Sequence, residues 1–503
     1  MADAKREIER KYESDDSGLP DLTRVGGVAD VLDKGVVELD ATYYDTADER
    51  LAASSVTLRR RTGGTDAGWH LKFPVSTGVR DEIQAPLSDA LPDELAALVR
   101  SRVRDAELIP VVRLRSARDL RHLVDTEGKL LAEASVDAVR AERLTEGGGT
   151  AQWTEIEVEL AESVDPDLLD KVEKRLRKAG VRPSKAPSKL ARALAETAPS
   201  GKKARGGPKK PKAPVSAGDH ILAYVRDQRD AIVELDPAVR RDVEDSVHRM
   251  RVATRRMRST FRSFRKVLDR TVTDPIGADL KWLAGELGLD RDREVLTERL
   301  TAALDALPGE LVTGPVHERL HLWASASHGG ARSRLIGVLD SQRYLTLLGT
   351  LDALVADPPL LEAAAGKPEK VIAKAVRKGF ATVADLVEQG MNQPPGHDRD
   401  LALHEARKKA KLARYAAEAA TPALGDPAAA LTKDMKTLQT LLGDHQDSVM
   451  ARQTLRELSA VAHAAGESAF TYGLLYGREE QQAAADEAEL PGVWAEIRSG
   501  TSV

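Results

Sequence analysis

Two patterns of apolar and polar residues divide the chain. From Arg6 to Leu160 they alternate in short runs, and from about Gly218 onward apolar residues recur at helical spacing. Period-two alternation sends successive side chains to opposite faces of a strand, whereas a 3.6-residue period lays one apolar stripe along a helix. Strands are therefore predicted at Arg6–Tyr12, Val36–Tyr43, Val56–Arg61, Trp69–Phe73, Arg80–Ala85, Pro110–Arg115, Lys129–Val139 and Gln152–Leu160. Turn-forming runs such as Thr62-Gly63-Gly64 and Glu146-Gly147-Gly148-Gly149 separate them. Helical patterns cover Asp93–Arg102 and Asp165–Ala179, the latter closed by Gly180. A closed antiparallel barrel is the natural arrangement for many alternating strands around a polar interior.

Pro199–Pro214 is basic and rich in Pro and Gly, as expected of a linker. The predicted division is residues 1–198, a linker at 199–216, and a helical domain at 217–500. Within the helical half, His248-Arg249-Met250-Arg251-Val252-Ala253-Thr254-Arg255-Arg256-Met257-Arg258 aligns with His404-Glu405-Ala406-Arg407-Lys408-Lys409-Ala410-Lys411-Leu412-Ala413-Arg414. Lys281-Trp282-Leu283 and Leu287-Gly288 through Asp292 then align with Lys436-Thr437-Leu438 and Leu442-Gly443 through Asp447. The nearly matching intervals indicate a duplicated unit, about 217–391 and 392–500, broken at Asn392-Gln393-Pro394-Pro395-Gly396. Two pseudo-symmetric helical bundles are expected.

Composition narrows the functional classes. The 503 residues include no Cys, which excludes disulfides and thiolate chemistry and fits a reducing compartment. No apolar run resembles a signal peptide or reaches membrane-spanning length, so a cytoplasmic, soluble protein is expected. The net charge of −5 conceals strong segregation of charge. Few aromatics argue against a single-stranded nucleic-acid platform built on base stacking.

The strand pattern carries the chemistry. Glu7, Glu9 and Lys11 share one face of the first strand, and Glu155, Glu157 and Glu159 share one face of the last. Between them come Arg59 and Arg61, Lys72, Arg80, and Arg113 and Arg115 with Arg118 nearby; Glu133 and Asp137 face the same way by parity. Such carboxylates cost too much to bury unless they are paired or hold a cation, and hard oxygens suit Mg²⁺ or Mn²⁺. Arg forks and Lys point charges suit phosphoryl oxygens.

Glu7-Ile8-Glu9-Arg10-Lys11 resembles the ExExK signature of the CYTH, or triphosphate tunnel metalloenzyme, superfamily. The resemblance continues through Tyr43-Tyr44-Asp45-Thr46, Leu58-Arg59-Arg60-Arg61, Leu71-Lys72, the Glu155–Glu159 strand and Ser188-Lys189. It implies an eight-stranded antiparallel β-barrel forming a tunnel with flanking helices, and cleavage of triphosphates or cyclisation of ATP. Glu7, Glu9, Glu157 and Glu159 would then be metal-binding and catalytic, with Glu155 an added ligand. Lys11, Arg59, Arg61, Lys72, Arg115 and Lys189 would hold the triphosphate. Arg80, Arg113 and Arg118 join them, and a bulge between Arg113 and Arg118 would change which of these face inward.

In the helical half, His248, Arg251, Arg255, Arg258 and Arg262 form one stripe, opposite Met250, Ala253, Met257, Phe261 and Phe264. His404, Arg407, Lys411 and Arg414 repeat that stripe, and Lys281 and Lys436 occupy equivalent positions. A solvated helix would interleave Glu with these cations. The motif, with Leu287-Gly288-Leu289-Asp290-Arg291-Asp292, resembles the CHAD domain (conserved histidine α-helical domain), which implies a duplicated helical bundle that binds inorganic polyphosphate. Repeat two departs from it at Leu412 and Gln446, in place of the equivalents of Arg256 and Arg291.

The expectation is a metal-dependent inorganic triphosphatase whose helical module binds long-chain polyphosphate, with association with polyphosphate granules as an added expectation. The alternatives are thiamine triphosphatase, nucleoside triphosphatase or class IV adenylyl cyclase activity, or a non-enzymatic polyphosphate-binding protein. Nucleic acid is the less favoured partner, and the sequence fixes no oligomeric state.

Overall fold

The computed structural model describes residues 3–14, 18–199, 213–288, 291–325 and 330–500. Most of the expected linker, 200–212, lies outside the described residues, as do Leu289 and Asp290 of the repeat motif and the side chains of Arg291 and Asp292. The chain forms two compact units, Met1–Pro211 and Lys212–Val503.

The first unit runs β1 (Asp3–Ser14), β2 (Asp30–Asp45), α1 (Arg50–Ala53), β3 (Thr57–Thr62), β4 (Gly68–Ser76), β5 (Val79–Pro86), α2 (Asp93–Val103), β6 (Ile109–Val124), β7 (Leu130–Arg143), β8 (Thr150–Leu160), α3 (Asp167–Lys178), β9 (Arg182–Pro183) and α4 (Lys189–Glu196). The strand order is β5-β4-β3-β2-β6-β7-β8-β1-β9, and β1 also pairs with β5. Eight antiparallel strands thus close into a ring, which makes the sheet a barrel, with the two-residue β9 appended to β1. The closing strand divides its pairing. Asp3–Ile8 pair with β5 from Gln84 to Val79, and Glu9–Ser14 pair with β8 from Glu159 to Thr154.

Apolar residues on the outer face pack under helices. Tyr12, Ile156 and Val158 meet Leu169, Val172 and Leu176 of α3, and Leu58, Trp69 and Ile83 meet Leu95 and Val99 of α2. At one end the interior is filled: Tyr43, Leu114 and Trp153 pack against Leu190 and Ala193 of α4. The Ser188 hydroxyl caps α4 by accepting from the Ala191 N–H at 3.0 Å. Helix α4 therefore stops one mouth of the barrel and brings Lys189 to the polar remainder.

The second unit runs α5 (Ala217–Arg240), α6 (Ser246–Ser263), α7 (Arg270–Glu286), α8 (Arg291–Asp305), α9 (Val316–Ser325), α10 (Ala331–Asp340), α11 (Gln342–Ala356), α12 (Pro368–Asn392), α13 (His397–Leu424), α14 (Asp426–Ala464) and α15 (Phe470–Gly500). The duplicated motif lies on α6 and α13. The two copies do not form separate bundles: Met250, Met257, Phe261 and Leu283 share one core with Ala406, Ala410, Met435 and Leu438. A single pair of helices cannot cover its own stripe, so each copy completes the other. A smaller core joins α8 and α9 to the far half of α14 and the start of α15. Among the described residues, no helix is long and apolar enough to cross a membrane.

Candidate functional site

Strand parity decides what reaches the barrel interior. On β1, Lys5, Glu7, Glu9 and Lys11 line a cavity of about 150 Å³. Tyr12 packs outward, and Arg10 pairs with Asp170 and Glu173 of α3 at 2.6 and 3.0 Å. The wall continues with Arg59 and Arg61 of β3, Lys72 of β4, Arg80 and Glu82 of β5, and Arg118 of β6. Glu133 of β7, Glu157 and Glu159 of β8, and Lys189 of α4 complete it. Of nineteen lining residues fifteen are charged, and the rest are Tyr43, Thr57, Gln84 and Ser188. Such a lining has little apolar surface to offer an organic group.

Arg113 and Arg115 are not among the lining residues. The β6–β7 register runs unbroken from Val112↔Arg143 to Leu123↔Ala132, so no bulge moves them to the face of Arg118. They lie outside instead, with Asp40 at 2.6 and 3.6 Å. Glu155 sits behind the cavity wall, 2% exposed, accepting from Trp153 Nε1 at 2.6 Å and pairing with Lys189 at 2.9 Å.

Opposite charges interlock around the cavity. Lys11 bridges Glu9, at 2.9 Å, and Glu157, and Lys72 reaches Glu7 at 2.5 Å and Glu82 at 3.3 Å. Arg118 holds Asp137 at 2.7 Å and Glu157 at 2.8 Å. The Lys189 ammonium meets Asp137, Glu155 and Glu157 at 2.8, 2.9 and 2.5 Å. Burial alone would neutralise these carboxylates, but Lys11, Lys189 and Arg118 outweigh it and hold Glu157 well below the usual range. Glu9 is lowered too, because Lys11 and Lys72 outweigh its burial. Glu7 goes the other way: burial, reinforced by the neighbouring Glu82, raises it to about 7 despite Lys72.

These groups fit a divalent cation. A buried carboxyl held near 7 beside a second carboxylate gains from added positive charge, and the donors are hard oxygens. Asp137, Glu155 and Glu157 also present carboxylate oxygens within 4.8 Å of one another, where Lys189 now supplies the positive charge. Sequence reasoning missed Glu82, which receives His70 Nδ1 at 2.8 Å and Gln84 Nε2 at 2.7 Å. It shares the parity of Arg80 on β5, and that signal could have found it.

In the helical unit, α6 and α13 bring five of the predicted cations together. Lys411 is half-buried, and burial with the charges of Arg255, Arg407, Arg414 and Arg251 presses it down to about 7. Arg258 and Arg262 lie near each other, burial and Arg262 lowering Arg258. His248, Lys281 and Lys436 are exposed on α6, α7 and α14. The Nδ1 of His404 is buried without a hydrogen-bond partner. Arg256 departs from the cationic pattern by pairing with Glu418 of α13 at 2.7 Å.

Comparison with known proteins covers both units. Residues 5–194 match the CYTH domain and residues 223–456 match the CHAD domain. An uncharacterized protein of Mycobacterium tuberculosis (strain H37Rv) is 38% identical over 489 residues, covering 94% of this chain and 92% of the relative. PptA from Streptomyces chartreusis is 21% identical with a TM-score of 0.48, over 56% of this chain and 100% of that one. The CHAD domain from the plant Ricinus communis is 23% identical with a TM-score of 0.43, over 57% of this chain and 93% of that one.

Proposed function

This chain belongs to the family that joins a CYTH domain to a CHAD domain, and from that premise we propose that its barrel is a divalent-metal-dependent hydrolase of inorganic triphosphate. The observation that carries the reading is the cavity wall, where cations and carboxylates alternate around a space of about 150 Å³ with little apolar surface. An organic headgroup normally needs apolar or aromatic walls. A bare condensed phosphate needs only charge from several sides.

In this reading Lys11, Arg59, Arg61, Lys72, Arg80, Arg118 and Lys189 hold the phosphoryl oxygens. Glu7, Glu9, Glu157 and Glu159 hold the metal, with Glu82 beside them and Glu155 keeping Lys189 in place. A bound Mg²⁺ or Mn²⁺ supplies neutralisation of phosphoryl charge and a more acidic water. The carboxylates orient that water in line with the scissile bond, and the cations fix the chain against it. Lys11, Lys72 and Arg118 would exchange carboxylate partners for phosphoryl oxygens, and the carboxylates they release would be the ones that hold the metal.

The test is phosphate release from inorganic triphosphate, thiamine triphosphate and ATP, with Mg²⁺ or Mn²⁺ and with a chelator. Metal-dependent release that is fastest from inorganic triphosphate is the expected result. Faster turnover of thiamine triphosphate, or cyclic product from ATP, would replace that substrate.

For the helical unit the reading is polyphosphate binding at the cluster around Lys411. Arg251→Ala/Arg255→Ala in the full chain should weaken long-chain polyphosphate binding about a hundredfold, the effect of losing two charge-assisted contacts. Binding should also weaken as pH rises through about 7, because Lys411 is cationic below that value and neutral above it. Unchanged affinity in the double variant would remove the cluster from the site.

A further inference from the structure

The repeat motif contains a Leu-Gly pair whose role the cationic stripe does not explain. Gly288 follows α7, and Gly443 occupies the equivalent place on α14. Each lies against the equivalent arginine of its own repeat. A Cβ built on Gly288 would fall 2.5 Å from both Cζ and Nε of Arg251, and 2.7 Å from its Nη2. At Gly443 the corresponding separations from Arg407 are 3.5 Å to Nε and 3.7 Å to Nη2. The first are contacts no real methyl makes, and the second are ordinary van der Waals contacts.

We propose that Gly288 is a positioning residue for anion binding: it leaves room for the Arg251 guanidinium beside Lys411, a place that any side chain at position 288 would take. Gly288 does not adopt a left-handed backbone, so φ does not demand glycine there. Space does. Arg251 is only 9% exposed, and the atoms a methyl at position 288 would meet are the far end of its flexible side chain, so the methyl displaces the guanidinium rather than the backbone. Repeat two tolerates a methyl at the matching point, which makes Gly443 an internal control of the same residue type.

The inference rests on the polyphosphate reading of the helical unit, and the experiment separates the two. Affinity of the full chain for long-chain inorganic polyphosphate is measured at several salt concentrations for wild type, Gly288→Ala, Gly443→Ala, Arg251→Ala and Arg251→Ala/Gly288→Ala. Gly288→Ala should weaken binding about tenfold, the effect of one misplaced charge-assisted contact. It should also flatten the salt dependence as Arg251→Ala does, since fewer counterions are released. Gly443→Ala should bind like wild type. In the Arg251→Ala background, Gly288→Ala should add nothing. Wild-type affinity in Gly288→Ala, or an equal loss in the Arg251→Ala background, overturns the positioning role while the polyphosphate reading stands. Failure of the wild type to bind polyphosphate overturns both. Melting curves identify a destabilised variant; if Gly288→Ala is one, Arg251→Ala/Gly288→Ala, which lacks the crowded guanidinium, should melt like Arg251→Ala, and a melting loss that persists in the double variant overturns the positioning role.

Discussion

Exchanging Glu7 and Glu9 together for glutamine is expected to lower metal-dependent phosphate release from inorganic triphosphate about 10²–10³-fold, with the protein still folded. Glutamine keeps the shape but removes the anionic oxygens a hard cation requires. Neither lysine partner is stranded by the change. Lys11 keeps Glu157 and Lys72 keeps Glu82 at 3.3 Å. Stability should respond in a diagnostic way. The Glu7 carboxyl is raised from 4.5 to about 7 in the folded protein, so the native state binds more protons than the unfolded chain between those values. In the wild type, stability contributed at this site is therefore present below about 4.5 and is lost as pH rises through about 7. Glu7→Gln removes that loss and should melt at a higher temperature than wild type at pH 8, although its activity falls. Equal phosphate release by wild type and the double variant would end the metal-site assignment.

Lys189→Met is expected to destabilise the barrel by about 3–5 kcal/mol at pH 7. The ammonium neutralises Asp137, Glu155 and Glu157, which are 0, 2 and 9% exposed. Without it Asp137 is left to Arg118, Glu157 to Arg118 and Lys11, and Glu155 to the Trp153 Nε1–H. Burial lowers Lys189, but Asp137, Glu157 and Glu155 outweigh it and raise the ammonium above its ordinary 10.5. Its stabilisation is thus fully present below that value and is lost only at still higher pH. Asp137 and Glu157 are held below 3.8 and 4.5, so their stabilisation is present above those values and is lost as pH falls through their lowered ones. In the variant these carboxyls lose the ammonium and become easier to protonate. The gap between wild type and variant, read from denaturant midpoints, should therefore narrow as pH falls from 7 toward 4. A constant gap across that range would show that Lys189 contributes packing rather than charge.

All eight main strands were legible because period-two alternation is written directly into residues such as Trp153–Leu160. The alternation predicts strand β6 only as far as Arg115. It continues to Val124, but Arg118, Asp119 and Arg121 place charge on both faces and erase the alternation there. Family resemblance places Arg115 inward, whereas Arg113 and Arg115 differ in parity from Arg118, so an unbroken strand cannot put all three in the cavity. Glu82 was open to the same parity argument. The meeting of Arg251 and Arg255 with Lys411 was not legible. It depends on how α6 packs on α13, and each helix alone shows only a basic stripe. The filling of one mouth by α4 is hidden as well, because Ser188–Lys189 signals only a cation and the packing of Leu190 and Ala193 against Tyr43, Leu114 and Trp153 depends on the closed sheet.

The divided pairing of β1 also ties the beginning of the barrel to its end. Its first half needs β5 and its second half needs β8, with Glu9 opposite Glu159. The earliest strand to be synthesised is therefore among the last to find all its neighbours. Until β8 emerges, the ring stays open with the edge of β5 only partly covered, a state that is slow to resolve and prone to wrong pairing. The carboxylates of β1 and β8 come together only when the ring closes. The carboxylates proposed to hold the metal thus come from the two ends of the barrel's sequence, and a chain cut short before β8 cannot assemble them.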